Sequence, residues 1–325
     1  MRIFILGSGN WGTTLALILS QKRDVTLWTI DEEEAKVIED KRENIYSLPG
    51  VKLPRNIKVE KKYTTKIKSN DILVVAVPSR KIEEIAQELR REKLTDCVLV
   101  NVSKGVKHTT LRTIKETFES YLPNIRFANL SGPTIAKELA EGLPAKAVLA
   151  AADVGLLFEL QEAFDNDLLK FEFSRDVEGI ELAASLKGLI AIAVGLADGF
   201  GYKTNVFGLV MTYGLNEFNT IMEFLGVNTK TVYGIAGMGD LITTCLSENS
   251  RNRRFGKYLA LGYSLEEALN EVGMVVEGVS MAKTIRKLTK FNLSIPLIDT
   301  ISRIIFDDID DIKTELMSTL NSISN

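Results

Sequence analysis

In the first half of the chain the apolar positions fall into short β-branched runs separated by stretches with helical spacing. Runs at residues 2–6, 25–28, 71–77 and 98–102 are the clearest strands, and weaker ones are predicted at 57–60, 125–129, 145–150 and 168–173. Continuous apolar runs of this length, rather than alternating ones, belong to strands covered on both faces. Between them, apolar residues recurring three and four apart predict helices over 11–20, 80–89, 110–121 and 133–140. Alternation of strand and helix predicts an α/β fold built on a doubly wound, mostly parallel sheet. After residue 174 the strands stop, and helical patterns over 177–196, 206–225, 252–261, 264–272, 281–291 and 295–306 predict an all-α second domain. The expected division is 1–175 and 176–325, with residues 319–325 as a frayed tail.

Composition narrows the chemistry. A chain of 325 residues fits two domains, and its formal charge of −3 argues against a general nucleic-acid or anionic-membrane partner, so an anionic ligand must meet a local basic cluster. The N-terminus runs straight into a strand, and no apolar stretch reaches the roughly 18 residues of a membrane span, which predicts a cytoplasmic protein. Cys97 and Cys245 stand far apart, outside any Cys-x-x-Cys pair, and His108 is the only histidine. Disulfide scaffolds, metal sites and histidine-activated nucleophiles are therefore not expected. Acid–base work falls to Lys, Asp or Glu.

One lysine stands out. From Leu182 to Ala197 the only charge is Lys187. An ammonium group in a helix apolar on every side either snorkels to water, pairs with an acid, or faces a polar cavity with its pKa lowered by desolvation. The last arrangement is how catalytic lysines arise. Elsewhere, Gly7, Gly9 and Gly12 follow a strand and open a helix in the spacing of the dinucleotide fingerprint: Gly7 for the tight turn, Gly9 for approach of backbone to a pyrophosphate, Gly12 for helix–sheet packing. Asp31, at the end of strand two, is placed to bind adenosine ribose hydroxyls and so to favour NAD over NADP. Its alternative is to open an acidic helix with Glu32, Glu33 and Glu34.

Other candidates sit at strand ends and helix starts. Lys104 follows the strand at 98–102, where open α/β sheets hold ligands; it faces a cleft or is a solvated turn residue. Residues 131–134, Ser-Gly-Pro-Thr, form a turn suited to a polar ligand or a plain N-capped helix start. In the helical half, Asp240 follows a glycine turn, Thr244 lies just beyond, and Ser250, Arg251 and Asn252 open a helix. A guanidinium fork with helix amides can hold a phosphate there; a solvated arginine face is the alternative.

Taken together, Gly7-x-Gly9-x-Trp11-Gly12, Val102-Ser-Lys-Gly105, Leu130-Ser-Gly-Pro-Thr134, Leu186-Lys187, Gly239-Asp240, Ser250-Arg-Asn-Arg-Arg-Phe-Gly256 and Val275-Val-Glu-Gly278 give a chain that resembles the bacterial-type NAD(P)-dependent glycerol-3-phosphate dehydrogenases, from the first strand to about Pro296. The resemblance implies a Rossmann domain, an all-helical substrate domain, and interconversion of dihydroxyacetone phosphate and sn-glycerol 3-phosphate with NAD(P)H, supplying phospholipid synthesis. It implies that Lys187 is the catalytic lysine, Lys104 a second active-site lysine at substrate and cofactor, and Asp240 the acid beside them. Asn10, Trp11 and Ala136 fall on cofactor positions; Gly132 and Thr134 fall on the substrate loop. Ser250, Arg251 and Asn252 match the phosphate segment, Arg251 also near the cofactor, and Val275 and Glu277 the segment closing over the cofactor. Thr244 joins the candidate substrate contacts.

Three departures accompany the resemblance. Gly188 stands where the family usually has Asn, Phe207 and Tyr213 replace two basic positions, and Ile30-Asp31 replaces basic residues linked to NADP. The alternatives to the dehydrogenase are a reductase of another small phosphorylated or carboxylated keto compound and a non-catalytic dinucleotide-binding relative. A homodimer is expected from the apolar helical half.

Overall fold

The computed structural model describes residues 2–61, 67–68, 71–94, 97–105, 113–287 and 293–323. His108, residues 110–112 and 288–291 of two predicted helices, and residues 324–325 lie outside the described residues. The chain forms two compact units: Met1–Ser103 with Ile114–Val177, and Lys104–Thr113 with Glu178–Asn325. Lys104 and Gly105 thus cluster with the helical half, although they fall inside the first half of the sequence.

Among the described residues the first unit holds eight strands: β1 (Ile3–Leu6), β2 (Val25–Trp28), β3 (Lys58–Glu60), β4 (Ile72–Val75), β5 (Val98–Asn101), β6 (Arg126–Ser131), β7 (Ala145–Ala151) and β8 (Leu169–Ser174). Their order is β3-β2-β1-β4-β5-β6-β7-β8, and only the β6/β7 pair is antiparallel. Leu6 pairs with both Trp28 and Val75, so the C-terminal ends of β2, β1 and β4 lie level. Strand order reverses beside β1, which puts the switch point at the loop that follows it. Side chains of β1, β2, β4 and β5 are buried throughout, as doubly covered strands require.

The helices of this unit are α1 (Asn10–Leu19), α2 (Glu32–Lys41), α3 (Ile82–Arg91), α4 (Ile114–Tyr121), α5 (Ala136–Ala140) and α6 (Val154–Ala163). α6 is absent from the sequence reading: Leu156, Leu157, Leu160 and Ala163 are buried while Val154 and Phe158 are exposed, so apolar residues on more than one side blur the helical period. The helix expected from residue 133 starts only at Ala136.

The second unit is helical: α7 (Val177–Gly199), α8 (Thr204–Phe224), α9 (Asp240–Leu246), α10 (Arg251–Ala260), α11 (Leu265–Val272), α12 (Glu277–Ile285), α13 (Pro296–Phe306) and α14 (Ile312–Ser322). α7 begins at the last residue of the first unit and is long and apolar enough by composition to cross a membrane, contrary to the sequence reading; its apolar window is wholly buried, the environment of a core helix. The tail is also corrected. Leu316, Thr319 and Leu320 are buried in α14, and the hydroxyls of Thr300 and Thr319 lie 2.9 Å apart, so residues 319–322 end a packed helix. Glu217, buried on α8, accepts backbone N–H groups from Leu297 (2.7 Å) and Ile298 (2.8 Å), filling the N-terminus of α13 that Pro296 opens. Burial outweighs those two bonds and pushes its carboxyl up to about 7.

Candidate active site and cofactor loop

The loop after β1 is shaped by backbone clearance. Gly7 has φ +108° and a Cβ there would strike the carbonyl of Ala76; one on Gly12 would strike the carbonyl of Gly7. At Gly9, by contrast, a Cβ would meet nothing within 4 Å, so the backbone is open on that side. Gly9 is the N-cap of α1 and no side chain bonds the first amides of the helix. An open glycine before uncapped helix N–H groups fits a pyrophosphate, and Asn10 and Trp11 open that same turn. The sequence reading missed what lies beneath. Asn44, fully buried, donates to Ser8 O (2.6 Å), Thr13 Oγ1 (3.0 Å) and Glu34 Oε1 (3.3 Å), and Thr13 Oγ1 also donates to Ser8 O (2.9 Å). A lone Asn among turn residues carries no periodic signal; only the fold reveals it as the support of the loop.

Asp31 caps α2: its Oδ1 accepts the N–H groups of Glu33 (2.8 Å) and Glu34 (3.0 Å). The capping alternative is realised, with the Asp31 side chain exposed just beyond β2. Ala136 is tied to α1, its carbonyl accepting from Thr14 Oγ1 at 3.2 Å. At Gly132 a Cβ would sit 3.0 Å from the backbone of Ala147 on β7. Thr134 donates to Gly132 O (3.2 Å), and α5 starts without a side-chain oxygen accepting from its first N–H groups. The N-capped helix alternative for residues 131–134 is thereby overturned.

In the second unit the predicted charges converge. Lys187, 4% exposed, is ion-paired with Asp240 Oδ2, and Lys104 Nζ reaches the same oxygen at 3.4 Å. Thr244 donates to Asp240 Oδ1 (3.4 Å) from one turn further along α9. Snorkelling of Lys187 is excluded by this burial. A turn of π type over Ile235–Gly239 leads into α9 and puts Asp240 in its first turn. Burial drives the Lys187 ammonium down to about 7, with Asp240 opposing and Lys104 assisting. Lys104, its side chain 35% exposed, carries the cluster to solvent.

Next along the chain, Ser250 accepts from Arg253 N (3.3 Å) as the N-cap of α10, so its hydroxyl oxygen is engaged. Asn252 Oδ1 accepts Gly278 N (3.0 Å) at the start of α12, which leaves its Nδ2 as the donor end. A Cβ on Gly188 would lie 3.1 Å from that Nδ2 and 3.1 Å from the Cα of Gly278, so the departure at 188 makes room for Asn252 and α12. Arg251 is exposed to solvent at the start of α10. Crowding by surrounding protein lowers its pKa and the Glu277 carboxylate opposes this, yet a guanidinium stays charged. Val275, half-buried, precedes α12 in the same segment. Phe207 lies under the Arg253 guanidinium (5.7 Å to the ring centroid), and Arg253 also pairs with Asp198 (3.3 Å). Tyr213 packs against the helical core. The two replaced basic positions therefore serve packing. Among the described residues no cluster of metal-ligating side chains occurs.

The fold and loop define a Rossmann-type dinucleotide-binding protein. Sequence profiles of the N-terminus and C-terminus of NAD-dependent glycerol-3-phosphate dehydrogenase match residues 2–156 and 176–314, and the chain belongs to that family of oxidoreductases. It is 37% identical over 312 residues to the glycerol-3-phosphate dehydrogenase [NAD(P)+] of Fusobacterium nucleatum, covering 95% of this chain and 93% of that one. The protein of the same name from Agathobacter rectalis is 38% identical over 309 residues, covering 94% and 92%. The crystal structure of glycerol-3-phosphate dehydrogenase from Coxiella burnetii superposes with a TM-score of 0.92 at 29% identity over 98% of both chains.

Proposed function

We propose that the protein interconverts dihydroxyacetone phosphate and sn-glycerol 3-phosphate, with residues 1–175 binding the dinucleotide and 176–325 the substrate. The observation that carries this is the buried pair Lys187–Asp240 with Lys104 on the same carboxylate oxygen. A bound reduced nicotinamide supplies the hydride. Gly7, Gly9, Asn10, Trp11 and Gly12 would hold its pyrophosphate and Asp31 its ribose, and Ala136, Lys104, Arg251, Val275 and Glu277 are the further cofactor candidates. Asp31 favours NAD, since a 2′-phosphate beside its carboxylate is repelled.

Lys187 donates a proton to the substrate C2 oxygen as it becomes an alkoxide, and in the reverse direction its neutral amine takes that proton back. A pKa of about 7 leaves both forms populated near neutrality. Asp240 holds the ammonium in place, and Lys104 and Thr244 steady Asp240 and meet the substrate. Ser250, Arg251 and Asn252 anchor the phosphate, while Gly132 and Thr134 line the substrate loop, so remote binding energy orients the carbonyl. The product suits phospholipid headgroup synthesis in the cytoplasm, and exposed apolar residues of the second unit such as Tyr233, Ile242 and Leu246 suit a homodimer. The test is NADH oxidation with dihydroxyacetone phosphate against unphosphorylated dihydroxyacetone: turnover with the first alone is expected, and equal rates remove the phosphate anchor.

A further inference from the structure

Ser185 is a polar residue in an apolar helix, and its hydroxyl has two assignments. It donates to Glu181 O at 2.7 Å, one turn back on α7, and accepts the backbone N–H of Gly105 at 3.0 Å. A hydroxyl has one proton; with that proton committed to Glu181 O, a lone pair must face Gly105. Gly105 has φ +132°, a conformation that other residues rarely adopt, and it directly follows Lys104. Lys104 is a long side chain with many rotamers, and it reaches Asp240 only if its backbone is held.

We infer that Ser185 is the positioning residue that fixes the Lys104–Gly105 backbone on α7 and so keeps Lys104 on the Asp240 oxygen it shares with Lys187. Removing the hydroxyl leaves the Gly105 N–H buried and unpaired, and the segment shifts to satisfy it. Lys104 then leaves Asp240. Lys187 loses a neighbouring cation and keeps the carboxylate to itself, and both changes favour its charged form. The groups facing Lys187 are Asp240 and Cys245 from α9 and Lys104 from its own segment. Burial pushes the Cys245 thiol up to about 12, so it stays neutral and does not compete.

The experiment compares native protein with Ser185→Ala and Ser185→Thr. An Nζ NMR titration of Lys187, assigned with Lys187→Arg, reads its protonation without turnover, and the pH dependence of glycerol 3-phosphate oxidation reads it in catalysis. For Ser185→Ala the Lys187 midpoint rises by about one unit, which lowers oxidation at pH 7 about fivefold with KM for NAD unchanged. Ser185→Thr, which keeps the hydroxyl, returns the midpoint to the native value. An unchanged midpoint in Ser185→Ala, with only the melting temperature lowered, overturns the inference. The activity readout rests on the proposed dehydrogenase; if native protein does not turn over glycerol 3-phosphate, that reading fails and the Nζ titration alone decides the role of Ser185.

Discussion

Lys187 and Asp240 form a buried ion pair, 4% and 2% exposed, inside the helical unit. Such a pair is weak evidence for stability, because desolvating both charges offsets most of their attraction. It is better evidence for a tuned proton donor: burial pulls the lysine down, the carboxylate limits the fall, and Lys104 extends it. Asp240→Asn removes the opposing charge and lowers the Lys187 pKa further. The protonated acid needed for reduction then disappears at lower pH. The pH profile of dihydroxyacetone phosphate reduction is expected to shift toward acid, with turnover at pH 7.5 at least tenfold lower. A profile that stays in place would separate Asp240 from the titration of Lys187.

Gly9 distinguishes binding from folding. Its φ of −63° suits any residue, and a Cβ there meets no protein atom within 4 Å. Gly9→Ala is expected to melt at the native temperature while NADH affinity, followed by fluorescence titration, falls by tenfold or more. Native affinity in this variant would place the pyrophosphate elsewhere.

Asp31 performs a structural task as well as the proposed selective one, and Asn separates them, since an Asn Oδ1 also caps a helix. Asp31→Asn is expected to keep α2 and the melting temperature and to raise kcat/KM for NADPH relative to NADH about tenfold. An unchanged cofactor ratio would leave Asp31 as a cap alone.

Glu217 makes stability depend on pH. Its folded pKa of about 7 lies above its unfolded value, so its protonated form is favoured by folding. Its contribution is fully present below about pH 4 and is lost as pH rises toward 7, on the order of 3 kcal/mol for a shift of this size. Denaturant midpoints of the native protein are expected to fall between pH 5 and pH 8, and those of Glu217→Gln to fall much less. Parallel curves for the two proteins would contradict this.

Much of the fold was legible because doubly covered strands and amphipathic helices print their period on the chain. β2 is read to the residue, and Lys187 announces itself as a lone charge among apolar neighbours. What was not legible depends on partners distant in sequence. Nothing in the spacing brings Lys104 or Lys187 to Asp240. Ser185 acts on backbone atoms, which any residue presents, and Asn44 on one backbone and two side-chain atoms brought together by the fold, so neither has a recognisable counterpart in the sequence. Gly188 stands in the sequence only as a departure from the family's Asn, and the packing of Asn252 and Gly278 against it gives the missing side chain a reason.

The most direct measurement is NADH oxidation with dihydroxyacetone phosphate by native protein and by Lys187→Ala, with NADH binding titrated in parallel. The expected result is turnover by the native protein, a loss of 10²-fold or more in kcat for the variant, on the order of what a positioned general acid contributes, and unchanged NADH affinity. Turnover by Lys187→Ala at the native rate would contradict the assignment of Lys187 as the proton donor.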